Sequence, residues 1–348
     1  MRTAQAATAL AFLLACARTA PPEDPAVVCP VTVSDGQYLM GTVLEISLCV
    51  PDRARGETLL RELFAEVALL ERMLSRFDVR SDLSKLNRAA GSGPFRVAPQ
   101  LAELTELSLG YTELSHGTFD VTVGPLVMLW LEAERTHELP SAAELAAARA
   151  RVGPGVVRVD TASSTVDLLA PGAMLEFGGV AKGWTLDRLA RKLRAAGVSR
   201  ALLAFGQSSL CAIGKPAGWD GWGVLLGDAS GGFAGTAQLV DQSLSISGSL
   251  GQYTEIAGRR YGHVIDPRSG EPLTQARVAG ALAADGARSE ALSKALLILG
   301  EKDGIALLES LPDTEGILID ESGKTWETSG WSKAAHYSAE FPGEDDSR

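Results

Sequence analysis

Between residues 57 and 74 the apolar side chains Leu59, Leu60, Leu63, Phe64, Val67, Leu70 and Leu74 recur at helical spacing, which marks one buried face of an amphipathic helix. The stretch just before it, residues 38–50, reads as a strand pair or one long strand. Further helices are expected at residues 99–115, at 141–151 (Ala-rich and peripheral), up to Ala196 where Gly197 closes one, at 288–299 ended by Gly300, and at 304–311. Strands are expected at residues 156–159 and 165–169 as a hairpin, and at 201–205, 210–213, 223–226, 236–240 and 244–247, the last two extending a sheet. Helices and strands mix without a βαβ rhythm and without an internal repeat, so the class is α+β.

The first residues set a compartment. Arg2 is followed by an apolar run through Leu10, Phe12, Leu13 and Leu14 and then Ala15-Cys16, the charged, apolar, small-residue order of a secretory signal. The run is too short to span a bilayer, which takes about 20 apolar residues. Leu13-Leu14-Ala15-Cys16 resembles a bacterial lipobox, in which the cysteine is lipidated; a plain cleaved signal and a buried helix are the other readings. Residues 1–16 are thus signal and lipobox, 17–34 an extended Pro-rich tether, 35–330 the folded domain and 331–348 a polar, acidic tail. The expected place is outside the cytoplasmic membrane, lipid-anchored on the periplasmic side. A net charge of −11 argues against nucleic acid as a partner, because its phosphates demand a basic surface. Cys29, Cys49 and Cys211 remain after lipidation, with no CxxC pair and no zinc spacing, although an exported protein can pair two of them.

Three stretches carry residues suited to chemistry. Tyr261-Gly-His-Val-Ile-Asp-Pro-Arg-Ser-Gly-Glu-Pro-Leu273 holds one of the four histidines. Alternation on a strand would put His263 and Ile265 on one face and Asp266 on the other, with Pro-Arg-Ser-Gly as the turn. A solvated hairpin end with an incidental histidine has the same pattern. Glu176-Phe-Gly-Gly-Val-Ala-Lys-Gly183 stands between a strand and a helix. Its glycines allow backbone amides to approach a phosphate, and Lys182 adds a cation. A glycine turn that only packs helix on strand reads the same. Ser289-Glu-Ala-Leu-Ser-Lys294 places Glu290 and Lys294 four apart, an ordinary helix salt bridge if nothing else is nearby.

Together these pieces resemble one family. Met40-Gly-Thr, Ser75-Arg-Phe-Asp, Ser84-Lys-Leu-Asn87, Gly117-Thr-Phe-Asp-Val-Thr-Val-Gly-Pro-Leu126, Glu176-Phe-Gly-Gly-Val-Ala-Lys-Gly183, Ser247-Gly248, His263-Val-Ile-Asp-Pro267 and the Glu290 helix follow one another in the order of the ApbE family. The resemblance implies an ApbE-like fold of mixed sheets with flanking helices. It implies an FAD:protein FMN transferase, which moves FMN from FAD to a Thr or Ser of an acceptor protein with Mg²⁺ and releases AMP. Carried over motif by motif, Met40, Phe77, Phe119, Asp120, Glu176, Lys182 and Ile265 would bind FAD. His263 and Lys182 would be catalytic, His263 as base or orienting group, and Gly179 and Glu290 would hold the metal.

This sequence departs from the family pattern where a metal is concerned. Glu176-Phe-Gly-Gly stands for Asp-Leu-Gly-Gly, Gly206-Gln-Ser208 for Gly-Gly-Asp or Gly-Gly-Asn, and Ile246-Ser-Gly248 for Thr-Ser-Gly. The Asp and Thr that serve the metal become Glu290 and Lys294. An ammonium offers only donors and repels a cation. Lys294 would therefore sit where the metal sat, or swing aside and leave a carbonyl-plus-Glu290 site. A non-catalytic FAD-binding lipoprotein and an FAD pyrophosphatase are the competing functions.

Overall fold

The computed structural model describes residues 29–339; the expected signal, the lipobox cysteine and most of the tether lie outside these residues, as does the end of the polar tail. The chain opens with a hairpin, β1 (Val31–Leu39) and β2 (Thr42–Val50). Its two-residue turn is Met40-Gly41, both at positive φ, the backbone that matches strand twist. The strand pair is therefore a hairpin, and β1 begins four residues inside the stretch read as tether.

Then come α1 (Arg53–Leu74), α2 (Asp82–Arg88), β3 (Phe95–Arg96), α3 (Pro99–Leu114), α4 (Gly124–Thr136), α5 (Ala142–Arg149), β4 (Val157–Asp160) and β5 (Thr165–Leu168). Asp52 and Ser81 accept from backbone N–H groups of α1 and α2, satisfying donors that a helix start leaves free. The second half contains α6 (Ala181–Ala195), β6 (Ala201–Phe205), β7 (Ser209–Ile213), β8 (Trp222–Gly227), β9 (Phe233–Leu239), β10 (Ser243–Gly248), β11 (Tyr253–Ile256) and β12 (Arg259–Gly262). It closes with β13 (Arg277–Ala283), α7 (Gly286–Glu309), β14 (Glu315–Asp320), β15 (Thr325–Glu327) and α8 (Trp331–Ala334). Gly300, at φ 78°, breaks α7 into two helical parts, as its sequence suggests.

An eight-stranded antiparallel sheet in the order β1-β2-β6-β7-β10-β13-β14-β15 divides the molecule. On one face Leu44, Ile46, Leu203 and Ile213 pack against Leu63, Phe64 and Val67 of α1 and Leu186, Leu189 and Leu193 of α6. Farther along the same face Ala279, Ala281 and Leu318 meet Leu292 and Leu296 of α7. The opposite face is covered by the β8–β9 ribbon and α8. The ribbon is a separate two-stranded sheet, so β9 does not extend the main sheet as expected. Alternation looks alike in a strand that pairs with a sheet and in one that lies over it. Residues 331–339 are likewise not tail. Trp331 is fully buried, and Ser338 exchanges backbone hydrogen bonds with Thr236. A second core, built by α2, α3 and the β3–β5–β4 sheet, meets the first turns of α6 and α7 through Ala181, Trp184, Ala287 and Ala291.

Candidate active site

Where the two cores meet, the starts of α6 and α7 touch backbone to backbone. A Cβ on Gly286 would stand 2.7 Å from the Gly183 oxygen, and a Cβ on Gly183 would overlap the Gly286 carbonyl. Only glycine permits this approach. The carboxylate of Asp187 on α6 accepts from Gly286 N at 2.6 Å and Ala287 N at 3.0 Å, tying the helix starts together. Burial, aided by the charges of Asp285 and Glu290, pushes Asp187 up to about 7, against the pull of those two N–H donors.

Charged residues from three separate stretches converge beside this crossing. Lys182, in the first turn of α6, donates from Nζ to Ser208 Oγ at 2.7 Å. Glu176 accepts from Gly178 N at 3.1 Å and lies 3.9 Å from the Arg76 guanidinium. Glu290 on α7 is buried. One of its oxygens accepts from Ser209 Oγ at 2.5 Å, and the other, Oε2, has no partner. Lys294, one turn later, donates from Nζ to the Glu290 carbonyl at 3.2 Å. Its Cδ and Cε lie 3.3 and 3.4 Å from where a Cβ of Gly179 would be, beside the Phe119 ring at 3.2 Å.

His263 completes the group. The chain leaves β12 at Gly262, so His263 is not on a strand, as alternation suggested, but just past its end. Its backbone N–H and its Nδ1 both face the Gln252 carbonyl at 3.1 Å. A carbonyl only accepts, so Nδ1 carries the proton and the neutral ring presents the Nε2 lone pair.

The electrostatics couple these groups. Burial pulls Lys294 below the usual lysine value and Lys182 adds to the effect, while Glu290 and Glu176 oppose it. Burial lifts Glu176, against Arg76, Gly178 and Lys294. His263 lies below the usual imidazole value through crowding by protein atoms and then the positive charges of Lys294 and Lys182, with Gln252 opposing. By area His263 is exposed, so the two ammonium charges are the firmer part of its cause. Two ammoniums, a neutral imidazole and two carboxylates thus face one another. That arrangement suits an anionic substrate undergoing attack by a hydroxyl.

The remaining expected residues divide. Phe119 is buried, edge-on to Tyr111. Met40 donates its N–H to Glu71 at 2.9 Å and its sulfur meets Thr185 of α6 at 3.6 Å. Phe77 is 81% exposed with the Arg76 guanidinium over its ring at 4.6 Å, a face ready for a planar ligand. Asp120 is turned onto Thr122 at 2.6 and 2.8 Å, and burial raises its pKa. It lines a cleft of about 480 Å³ with Gly117, Arg149, Val152 and Arg268. Ile265 is not brought to the charged group: it is buried with Leu126 and Ala148 under α4 and α5. Sequence reasoning assigned no role to Arg76, Ser208, Ser209 or Gln252. Ser208 and Ser209 stand beside the Gly206 turn that was noted only for its departure.

The sequence model of the ApbE family matches residues 40–318. The chain is 30% identical over 334 residues to a protein of Klebsiella pneumoniae (strain 342) named FAD:protein FMN transferase, covering 91% of this chain and 93% of that one. The apo crystal structure of the Pseudomonas stutzeri flavinyl transferase ApbE is similar at a TM-score of 0.77 and 25% identity, over 88% of this chain and 97% of that one. The ApbE protein of Thermotoga maritima shares the fold, at a TM-score of 0.79 and 23% identity over 88% of this chain and 99% of that one.

Proposed function

This chain belongs to the ApbE family, and from that membership and the charged cleft we infer that it is an FAD:protein FMN transferase. It takes FAD as substrate and an acceptor protein as partner. The observation that carries this reading is the convergence of Lys182, Lys294 and a neutral His263 beside the α6–α7 crossing. A protein that only stored flavin would have no use for an imidazole held with Nε2 free beside two cations.

Lys182 and Lys294 hold the negative charge of the pyrophosphate, Phe77 and Phe119 flank the ring system, and Glu176 positions the ribose side. His263 takes the proton of the incoming Ser or Thr hydroxyl. Positioning and charge stabilisation supply most of the rate in such transfers.

The residues present do not fit Mg²⁺. Gly179 and Glu290 would have to supply oxygens to an ion that prefers a near-octahedral oxygen shell. The Lys294 stem lies against Gly179, its ammonium is on the Glu290 carbonyl, and one Glu290 oxygen is already held by Ser209.

The protein is further proposed to be exported and held by a lipid on Cys16 at the periplasmic side. The apolar run ending at Ala15-Cys16 supports this, as does the disulfide between Cys29 and Cys49, since such bonds persist in oxidising compartments. Globomycin-sensitive processing in a bacterial host would test the anchor. For the activity, the full chain is incubated with FAD, and AMP, FMN and flavin-labelled protein are followed by chromatography. Stoichiometric AMP and protein-bound FMN are expected, whereas intact FAD at every time point would refute the reading.

A further inference from the structure

We propose that Lys294 is the resident counter-cation for the FAD pyrophosphate and stands in place of a divalent metal, so that FMN transfer needs none. The proposal rests on the transferase reading above and concerns how the same cleft holds its substrate's charge.

The placement of one side chain carries it. Lys294 lies between the two residues a metal would need, its methylenes beside Gly179 and its Nζ 3.2 Å from the backbone carbonyl of Glu290. That bond uses one of three ammonium hydrogens and leaves two for a ligand. The Glu290 carboxylate does not hold the ammonium by a hydrogen bond: Ser209 donates to Oε1, Oε2 has no partner among the described residues, and Nζ is on the backbone oxygen. Lys182 reaches the same space from α6, resting on the neutral Ser208 hydroxyl. Ser208, which Lys182 meets, is next in the chain to Ser209, which meets Glu290 on the helix that carries Lys294, and both ammonium charges bear on His263.

The fixed charges offset half of what the pyrophosphate brings. Lys182, Lys294 and Arg76 oppose Glu176 and Glu290, which leaves an excess of one positive charge before FAD brings two negative ones. A divalent ion added beside Lys294 would be repelled at contact distance in a cleft that shields poorly. The step then balances without it. The acceptor hydroxyl oxygen bonds to the flavin-side phosphorus, and the bond from that phosphorus to the bridging oxygen breaks. AMP leaves with the bridging oxygen and its electron pair, and the hydroxyl proton passes to Nε2 of His263. The product is a phosphodiester of FMN on Ser or Thr.

The test uses the full chain stripped with EDTA, with AMP release from FAD and FAD binding by flavin fluorescence as separate readouts, and riboflavin as a phosphate-free comparator. Wild type is expected to release AMP in EDTA within about twofold of its rate in added Mg²⁺. Lys294→Thr should lose roughly tenfold or more in EDTA and recover when Mg²⁺ is added, because a hydroxyl replaces the repelling ammonium. Lys294→Gln should weaken FAD binding in EDTA roughly tenfold and leave riboflavin binding unchanged. Lys294→Arg keeps the charge and should keep binding, which separates lost charge from lost folding; circular dichroism checks each variant. Wild-type AMP release that requires Mg²⁺ overturns the proposal and leaves the transferase reading standing. Absence of AMP in every condition refutes the transferase reading, and the binding arm then decides. Unchanged FAD affinity in Lys294→Gln overturns the counter-cation, and a tenfold loss upholds it.

Discussion

Replacing Gly183 by alanine perturbs the contact on which both the fold and the cleft depend. The added Cβ would overlap the carbonyl carbon and oxygen of Gly286 and come within 2.8 Å of Ala287 N. Every obstructing atom is backbone, so no side chain can swing away. Comfortable contact needs roughly 3.5–4 Å between heavy atoms, and the helix starts must part by about 1 Å or more. Overpacking of this kind costs about 1–3 kcal/mol, and more where backbone must move. The same movement separates Lys182 on α6 from Glu290 and Lys294 on α7, and a 1 Å misplacement of catalytic groups costs on the order of 10²-fold in rate.

The assay pairs urea unfolding with AMP release from FAD, and Gly110→Ala serves as control. Gly110 lies on the exposed side of α3 with nothing within 4 Å of a Cβ, so alanine there should add roughly 0.5–1 kcal/mol through helix propensity. Gly183→Ala should lower the unfolding midpoint at unchanged m-value and slow turnover in the same protein. A variant that unfolds and turns over like wild type would show that the two helix starts are not in contact.

His263→Ala should lower turnover about 10²- to 10⁴-fold with little change in FAD binding, as expected for loss of a general base. Because its neutral form is active and its pKa lies below the ordinary 6.5, the acid limb of the rate profile should fall below pH 6.5. Lys182→Met removes one of the charges that depress it, so that limb should move to higher pH; a limb that stays put would separate His263 from the lysines. Reducing the Cys29–Cys49 disulfide, which closes a 20-residue separation, should cost about 3 kcal/mol and leave the initial rate of AMP release unchanged. Trp331→Ala, at a fully buried position, should cost about 3–5 kcal/mol in urea unfolding, and a chain ended before it should fail to fold.

The long helix α1 was legible because it carries a full apolar stripe at helical spacing, whereas α4 and α8 were not expected. Leu59, Leu60, Leu63, Phe64, Val67, Leu70 and Leu74 all became the buried face of α1. Sheet order was not, since β2 pairs with β6 across more than a hundred residues and alternation carries no record of its partner. Trp331 was hidden by its polar neighbours, and one aromatic residue makes no period. Alternation put His263 and Ile265 on one face because it assumes an unbroken strand, whereas the strand ends at Gly262, whose missing Cβ lets the Ser249 and Leu273 carbonyls approach. The spacing of Glu290 and Lys294 fitted an exposed helix salt bridge equally well. What the spacing could not show is that Glu290 is buried and that Lys294 reaches the backbone oxygen, not the carboxylate.

The two helix starts at the crossing differ in a way that explains how a lysine at position 294 is tolerated. The first turn of α7 is already neutralised, with Asp285 accepting from Arg288 N and Asp187 accepting from Gly286 N and Ala287 N. The start of α6 has no side-chain cap; Val180 and Ala181 donate to the Phe177 carbonyl, and no carboxylate among the described residues offsets the partial positive charge of its first turn. On the proposed function, Lys182 at the start of α6 faces the phosphates, and α7 contributes the charge of Lys294. An ammonium at position 294 supplies positive charge from α7 without altering the contact between the two helix starts. A substitution at Gly183 on α6 has no such freedom, because its missing Cβ is what lets the helices meet.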